Sequence, residues 1–127
     1  MIKALTVAAI CLIGHLAHAD EQTPTYLYKV LSVEDWEASQ GHDSLHLASA
    51  DYAFIHFSKE DQLDRILSKY WSETPFVILK VATDRLPGKL VFEANPGGAS
   101  KYYHLYNGSI PLTSIVESKP TPQTPKQ

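Results

Sequence analysis

Apolar residues along this chain of 127 residues fall into short runs of two different periods. Residues 25–31 (TYLYKVL) are aromatic and β-branched and predict a strand. Tyr26, Tyr28 and Val30 share one of its faces, and Leu27, Lys29 and Leu31 share the other. Residues 52–57 (YAFIHF) and 75–82 (PFVILKVA) are apolar on both faces, the pattern of strands buried on both sides. Residues 89–93 and 101–106 (KYYHLY) predict two further strands, the second placing Tyr102, His104 and Tyr106 on one face. A short strand is also expected at residues 45–47, and residues 110–116 form an apolar closing segment.

Two stretches carry a helical period instead. Ser32 is placed to cap a short helix, with Asp35 three residues on as a weaker form of the capping-box acid. Val33 and Trp36 would face the core, and Gly41 would end this helix. Ser58 is expected to cap the second helix, where Leu63, Ile66, Leu67 and Tyr70 recur at i, i+3, i+4 and i+7. Glu60 and Asp61 in its first turn and Lys69 in its last suit the helix dipole. Turns are expected at Leu86-Pro87-Gly88 and at Asn95-Pro96-Gly97-Gly98. About five strands and two helices that do not strictly alternate predict an α+β fold.

The two ends of the chain differ from its middle. Lys3, an apolar run over residues 4–16 and Ala17-His18-Ala19 have the three parts of a secretory signal, so residues 1–19 are expected to be cleaved. The run is shorter than the ~20 apolar residues of a membrane span. Export to the periplasm or the exterior is therefore expected, with no span after cleavage. Residues 20–24 read as a polar lead-in, residues 25–116 as one globular domain, and residues 117–127, with three prolines, as a disordered tail. The chain's single cysteine, Cys11, lies in the segment to be removed, so neither a disulfide nor a thiolate site is expected. The net charge is −3 and no Lys/Arg cluster occurs, which argues against nucleic acid as a partner.

Few residues invite chemistry. His56 lies in an apolar strand just before a helix start, where free N–H groups favour an anionic group. The segment His56-Phe57-Ser58 is thus a candidate pocket edge, and a core histidine bonded to a carbonyl is its plainer alternative. Glu93 ends a strand before a glycine-rich turn, where its carboxylate can reach a cleft or simply meet solvent. His42 and His46 are four apart, but Gly41 and Asp43 disfavour a helix there, so no metal site is expected. Neither a nucleophile elbow nor a phosphate-loop motif occurs.

Taken in order, Leu27-Tyr28-Lys29-Val30, Asp35-Trp36, Phe54-Ile55-His56-Phe57-Ser58, Phe92-Glu93, His104-Leu105-Tyr106, Gly108 and Pro111-Leu112 resemble a small bacterial family, domain of unknown function 952. The resemblance runs from Tyr26 to Val116. It implies a compact ADP-ribosyltransferase-like fold, two small sheets around a cleft with two helices. In that fold the cleft takes nicotinamide adenine dinucleotide, a first-strand histidine or arginine holds the ribose, and a glutamate often assists loss of nicotinamide through an oxocarbenium-like state, much as in glycoside cleavage. Carried over, Lys29 stands at the first-strand histidine position, His56 and Glu93 are the candidate catalytic pair, and Tyr28, Lys29, His56, Ser58, His104 and Tyr106 are the ligand-contact candidates. A lysine ammonium only donates, so Lys29 suits a phosphate better than a ribose hydroxyl.

Three readings follow. The first is a small ligand-binding domain with a nucleotide- or sugar-phosphate-type pocket and no transfer activity. The second is an active ADP-ribosyltransferase-like enzyme on a nucleotide or ADP-ribosylated substrate. The third is an envelope protein acting through protein contacts, marked by an exposed apolar patch in place of a cleft.

Overall fold

A computed structural model describes residues 22–122. The chain forms β1 (Tyr26–Ser32), α1 (Val33–Ser39), β2 (Ile55–Phe57), α2 (Leu63–Tyr70), β3 (Phe76–Ala82), β4 (Lys89–Ala94), β5 (Lys101–Tyr106) and β6 (Ile115–Pro120), joined by loops and short 3-10 turns. The fold is α+β. Its strands make two three-stranded antiparallel sheets, in the orders β1-β3-β6 and β2-β5-β4. Among the described residues, no helix is long and apolar enough to cross a membrane. The leader and cleavage site read from residues 1–19 lie outside the described residues.

Alternation decides what is buried. Leu27 and Leu31 of β1 stand opposite Val81 and Val77 of β3, and all four are buried. Ile55, Phe57, Tyr103 and Leu105 supply the second sheet's contribution, and Leu45 and Ile110 from the loops complete the core. Ser32 caps α1, its Oγ accepting from the Asp35 N–H at 3.1 Å, while Val33 and Trp36 pack against the core. A backbone bridge links the two sheets: the Tyr28 N–H donates to the Ser58 carbonyl at 2.8 Å, and the Ser58 N–H donates back to the Tyr28 carbonyl at 2.9 Å. Beside this bridge, residues 28–32 of β1 and residues 56–58 line a cleft.

Several expectations need correction. The strand expected over residues 52–57 begins only at Ile55, because the loop before it is held by a side chain: Asp51 Oδ1 accepts the His56 N–H at 3.0 Å. Ser58 is not a helix cap. Its backbone is engaged in the bridge to Tyr28, and the cap position passes to Lys59, whose N–H donates to Gln62 Oε1 at 2.9 Å ahead of a 3-10 turn and α2. Residues 45–47 form no strand; Ser44 makes an isolated bridge to Pro111 instead.

The disordered tail expected from residue 117 is also corrected, since residues 117–120 belong to β6, paired with β3. Thr121 closes the end, its N–H and Oγ1 both engaging the Phe76 carbonyl, at 2.8 and 2.7 Å. An edge strand satisfies one ladder with its backbone and needs little apolar surface, so polar composition misread it. Residues 123–127 lie outside the described residues.

Candidate functional site

A cavity of ≈ 670 Å³ opens beside the bridge between Tyr28 and Ser58. Its floor comes from β1 and from the segment before and through β2: Lys29, Asp51, His56 and Ser58 all line it. One wall is α2, contributing Arg65, Ile66, Lys69 and Tyr70, and the glycine-rich loop of residues 95–100 adjoins it. The most regular apolar stripe of the sequence thus turns in part to the cavity. No residue of α2 is buried, and Ile66 and Tyr70 surface the cavity.

The floor is held by an ionic cluster. Lys29 sits on the core face of its strand and is 6 % exposed. Its Nζ lies 2.9 Å from both carboxylate oxygens of Asp51 and 3.1 Å from the His56 carbonyl. Three ammonium donors therefore meet three protein oxygens. Asp51 Oδ1 also lies 2.9 Å from His56 Nδ1. A carboxylate only accepts, so Nδ1 carries the proton and the other imidazole nitrogen is left able to accept a further contact. His56 retains 38 % side-chain exposure, enough for that contact.

Burial shifts both charged groups. It lowers the Lys29 pKa, opposed by the Asp51 charge and hydrogen bonds. Burial raises the Asp51 pKa, but hydrogen bonds from His56 and the Lys29 charge outweigh it and hold the carboxyl at about 2, below its ordinary 3.8. A depressed carboxylate contributes stability above its unfolded pKa and loses it as pH falls through the folded one. Lowering the pH from 5 to 2 should therefore cost about 2 kcal/mol through this group. Urea unfolding across that range checks it: Asp51→Asn should lack this increment, and an identical pH dependence in the two proteins refutes it.

Behind the floor lies a second network. His104 is 0 % exposed, and its ring stacks on Phe54 at 4.1 Å between centroids. His104 Nδ1 lies 2.9 Å from Glu93 Oε1, and the Asn95 amide oxygen lies 2.8 Å from Nε2. The Tyr106 hydroxyl donates to the same Glu93 oxygen. The Tyr106 and His104 hydrogen bonds lower the Glu93 pKa, and the bond to Glu93 raises that of Tyr106.

The sequence candidates therefore divide. Tyr28, Lys29, His56 and Ser58 are brought together at the cavity. Glu93, His104 and Tyr106 are brought together with one another, and none of the three lines the cavity. The groups are neighbours, since the His56 and His104 rings lie 5.3 Å apart on paired positions of β2 and β5. Asn95 belongs to both, touching His104 and lining the cavity. Sequence reasoning missed Asp51, whose only signal was an acid just ahead of an apolar run. It also missed Asn95, hidden in a turn motif, and Arg65, on the polar side of α2. Among the described residues, no group of three or more His, Cys, Asp or Glu could hold a metal ion.

Comparison with known proteins gives a family and a fold. The profile of the family described as "Protein of unknown function (DUF952)" matches residues 30–118. The crystal structure of protein CC0527 from Caulobacter crescentus is similar, with a TM-score of 0.65 and 26 % identity over 76 % of this chain and 85 % of that one. The solution NMR structure of CC0527 gives 0.64 and 27 %, over 76 % and 84 %. No curated protein matches the chain.

Proposed function

The chain belongs to the family described as "Protein of unknown function (DUF952)", and on that footing we propose that its cavity binds a phosphorylated small molecule of the nucleotide or sugar-phosphate class without transferring any group from it. Two small sheets and the cleft beside their bridge support the further reading that the fold is a compact relative of the ADP-ribosyltransferases. The leader-like residues 1–19 support export, so that binding would take place outside the cytoplasm.

One observation carries the choice of binding over transfer: the groups that transfer would require are engaged elsewhere. Lys29, at the position that resemblance gives to a ribose-holding histidine, spends its ammonium on Asp51 and the His56 carbonyl. Glu93, the acid that would stabilise an oxocarbenium-like state, is bonded to His104 and Tyr106 and does not line the cavity. What the cavity does offer suits recognition. His56 and Ser58 provide polar contacts on the floor, and Ile66, Tyr70 and Trp71 provide apolar and aromatic surface for a ring.

The test is a thermal-shift and calorimetric screen of the protein against nucleosides, nucleoside phosphates, sugar phosphates and nicotinamide adenine dinucleotide. A ligand present at a hundred times its dissociation constant should stabilise the protein by about 2.7 kcal/mol. His56→Phe should weaken that binding. Release of nicotinamide from the dinucleotide would overturn the binding-only reading, and the absence of any ligand from the panel would overturn the pocket itself.

A further inference from the structure

We propose that Arg65, Lys69 and the loop of residues 97–100 form the subsite that holds the ligand's phosphate, an inference that rests on the pocket reading above and gives it a polarity. The protein carries a net charge of −3, yet the cavity lining contains three permanent cations, Lys29, Arg65 and Lys69, against two carboxylates, Asp35 and Asp51. Lys29 and Asp51 neutralise each other at 2.9 Å. Asp35 faces His46 at 3.7 Å. Among the described residues neither Arg65 nor Lys69 has a carboxylate within ion-pair distance. Asp35 is thus the one carboxylate of the lining left to set against the two cations of α2, and a cleft focuses the net positive charge.

Geometry adds direction. Arg65 and Lys69 are one helical turn apart on α2, so they stand side by side on one face. Arg65 Nη1 donates to Ser100 Oγ at 3.1 Å, which brings the guanidinium against the glycine-rich loop. That loop turns on the Gly98 N–H donating to the Asn95 carbonyl at 2.8 Å, leaving the N–H groups of Gly97, Ala99 and Ser100 outside the turn's own hydrogen bond. Gly97 has φ +79°, and a Cβ built there would meet nothing within 4 Å. The backbone is consequently open to close approach by phosphate oxygens. Lys69, now resting against the Tyr70 ring at 5.1 Å, is an exposed point charge that can swing onto the same anion. A planar guanidinium, a mobile ammonium and free backbone N–H groups together suit a phosphate or pyrophosphate. The ring or sugar of the ligand would then lie inward, toward His56.

Inorganic pyrophosphate tests this without a known ligand. Calorimetry at fixed ionic strength should show binding to the wild-type protein, weakened about tenfold or more in Arg65→Gln/Lys69→Gln. Lys119→Gln, on β6 and away from the cavity, should bind like wild type. Equal affinity in the wild type and the double variant would overturn the proposal, as would no binding to the wild type. Adenosine and adenosine monophosphate separate the subsite from the pocket. If pyrophosphate binds in a manner dependent on Arg65 and Lys69 while adenosine and its phosphate do not bind, the subsite stands and the pocket reading is weakened. If adenosine and its phosphate bind equally well, the pocket stands and the phosphate subsite fails.

Discussion

Asp51→Ala should destabilise the protein by about 3–5 kcal/mol, because it leaves the Lys29 ammonium buried without a counter-charge. Lys29 is 6 % exposed and Asp51 8 %, so water cannot easily take the place of either partner. The substitution also removes the acceptor of the His56 N–H and of His56 Nδ1, at 3.0 and 2.9 Å. Replacing both charges separates these contributions. In Lys29→Met/Asp51→Ala a methionine of similar length fills the lysine's space without a charge, so the double variant should be more stable than Asp51→Ala alone. It should remain below wild type by about 1–3 kcal/mol for the orphaned His56 groups. Urea unfolding of the four proteins of this cycle measures the coupling directly. A cost below about 1 kcal/mol for Asp51→Ala, in the range of an exposed pair, would show that the cluster is not the buried ion pair described.

The second large effect lies where two turns press together. Gly88 has φ +106°, and a Cβ there would stand 2.5 Å from the Tyr106 carbonyl oxygen and 2.8 Å from Gly108 Cα. Both obstacles are backbone and cannot rotate away. Gly88→Ala therefore combines the strain of a positive φ, about 1–2 kcal/mol, with overpacking of about 1–3 kcal/mol. It should lower the stability by about 3 kcal/mol and disturb the start of β4, where Lys89 pairs with Tyr106. Gly41 supplies the control. It has φ +83° but nothing within 4 Å of an added Cβ, so Gly41→Ala should cost only the strain, about 1 kcal/mol. Thermal unfolding of both variants decides the matter, and equal costs would remove the packing part of the argument.

The candidate site also explains why a pocket can coexist with so small a core. The two sheets are bridged through the reciprocal bonds of Tyr28 and Ser58, and the cavity lies beside that bridge. Placing Lys29 one residue after Tyr28, and His56 two residues before Ser58, sets both side chains next to the bridge. The charge of Lys29 is acceptable on a core-facing position only because Asp51 arrives from the 3-10 turn of Ser49–Asp51 to meet it. The proposed recognition of a ligand and the integrity of the fold would therefore share residues at the floor. The proposed phosphate subsite, carried by exposed side chains of α2, could be altered at little structural cost.

Local pattern alone determined much of this protein. The class of fold, strand β5 to the residue, the cap of α1 by Ser32 and the division of β1 into two faces all follow from alternation, helical period and capping chemistry, which act over neighbouring residues. Tertiary structure decided what depends on partners distant in sequence. Lys29 and Asp51 are 22 residues apart, and no periodicity marks an acid that will be needed by a lysine on another element. The stripe of α2 lacked any sign that it would surface a cavity, because amphipathicity specifies a face and not what lies opposite. The polar residues of β6 resembled a tail because an edge strand is held by backbone hydrogen bonds, to which side-chain composition is nearly blind. Glu93 went with His104 and Tyr106 and not into the cavity with His56, since the register of β4 on β5 set its neighbours. Long-range pairing, a free-energy choice made by the whole chain, assigned each of these residues its role.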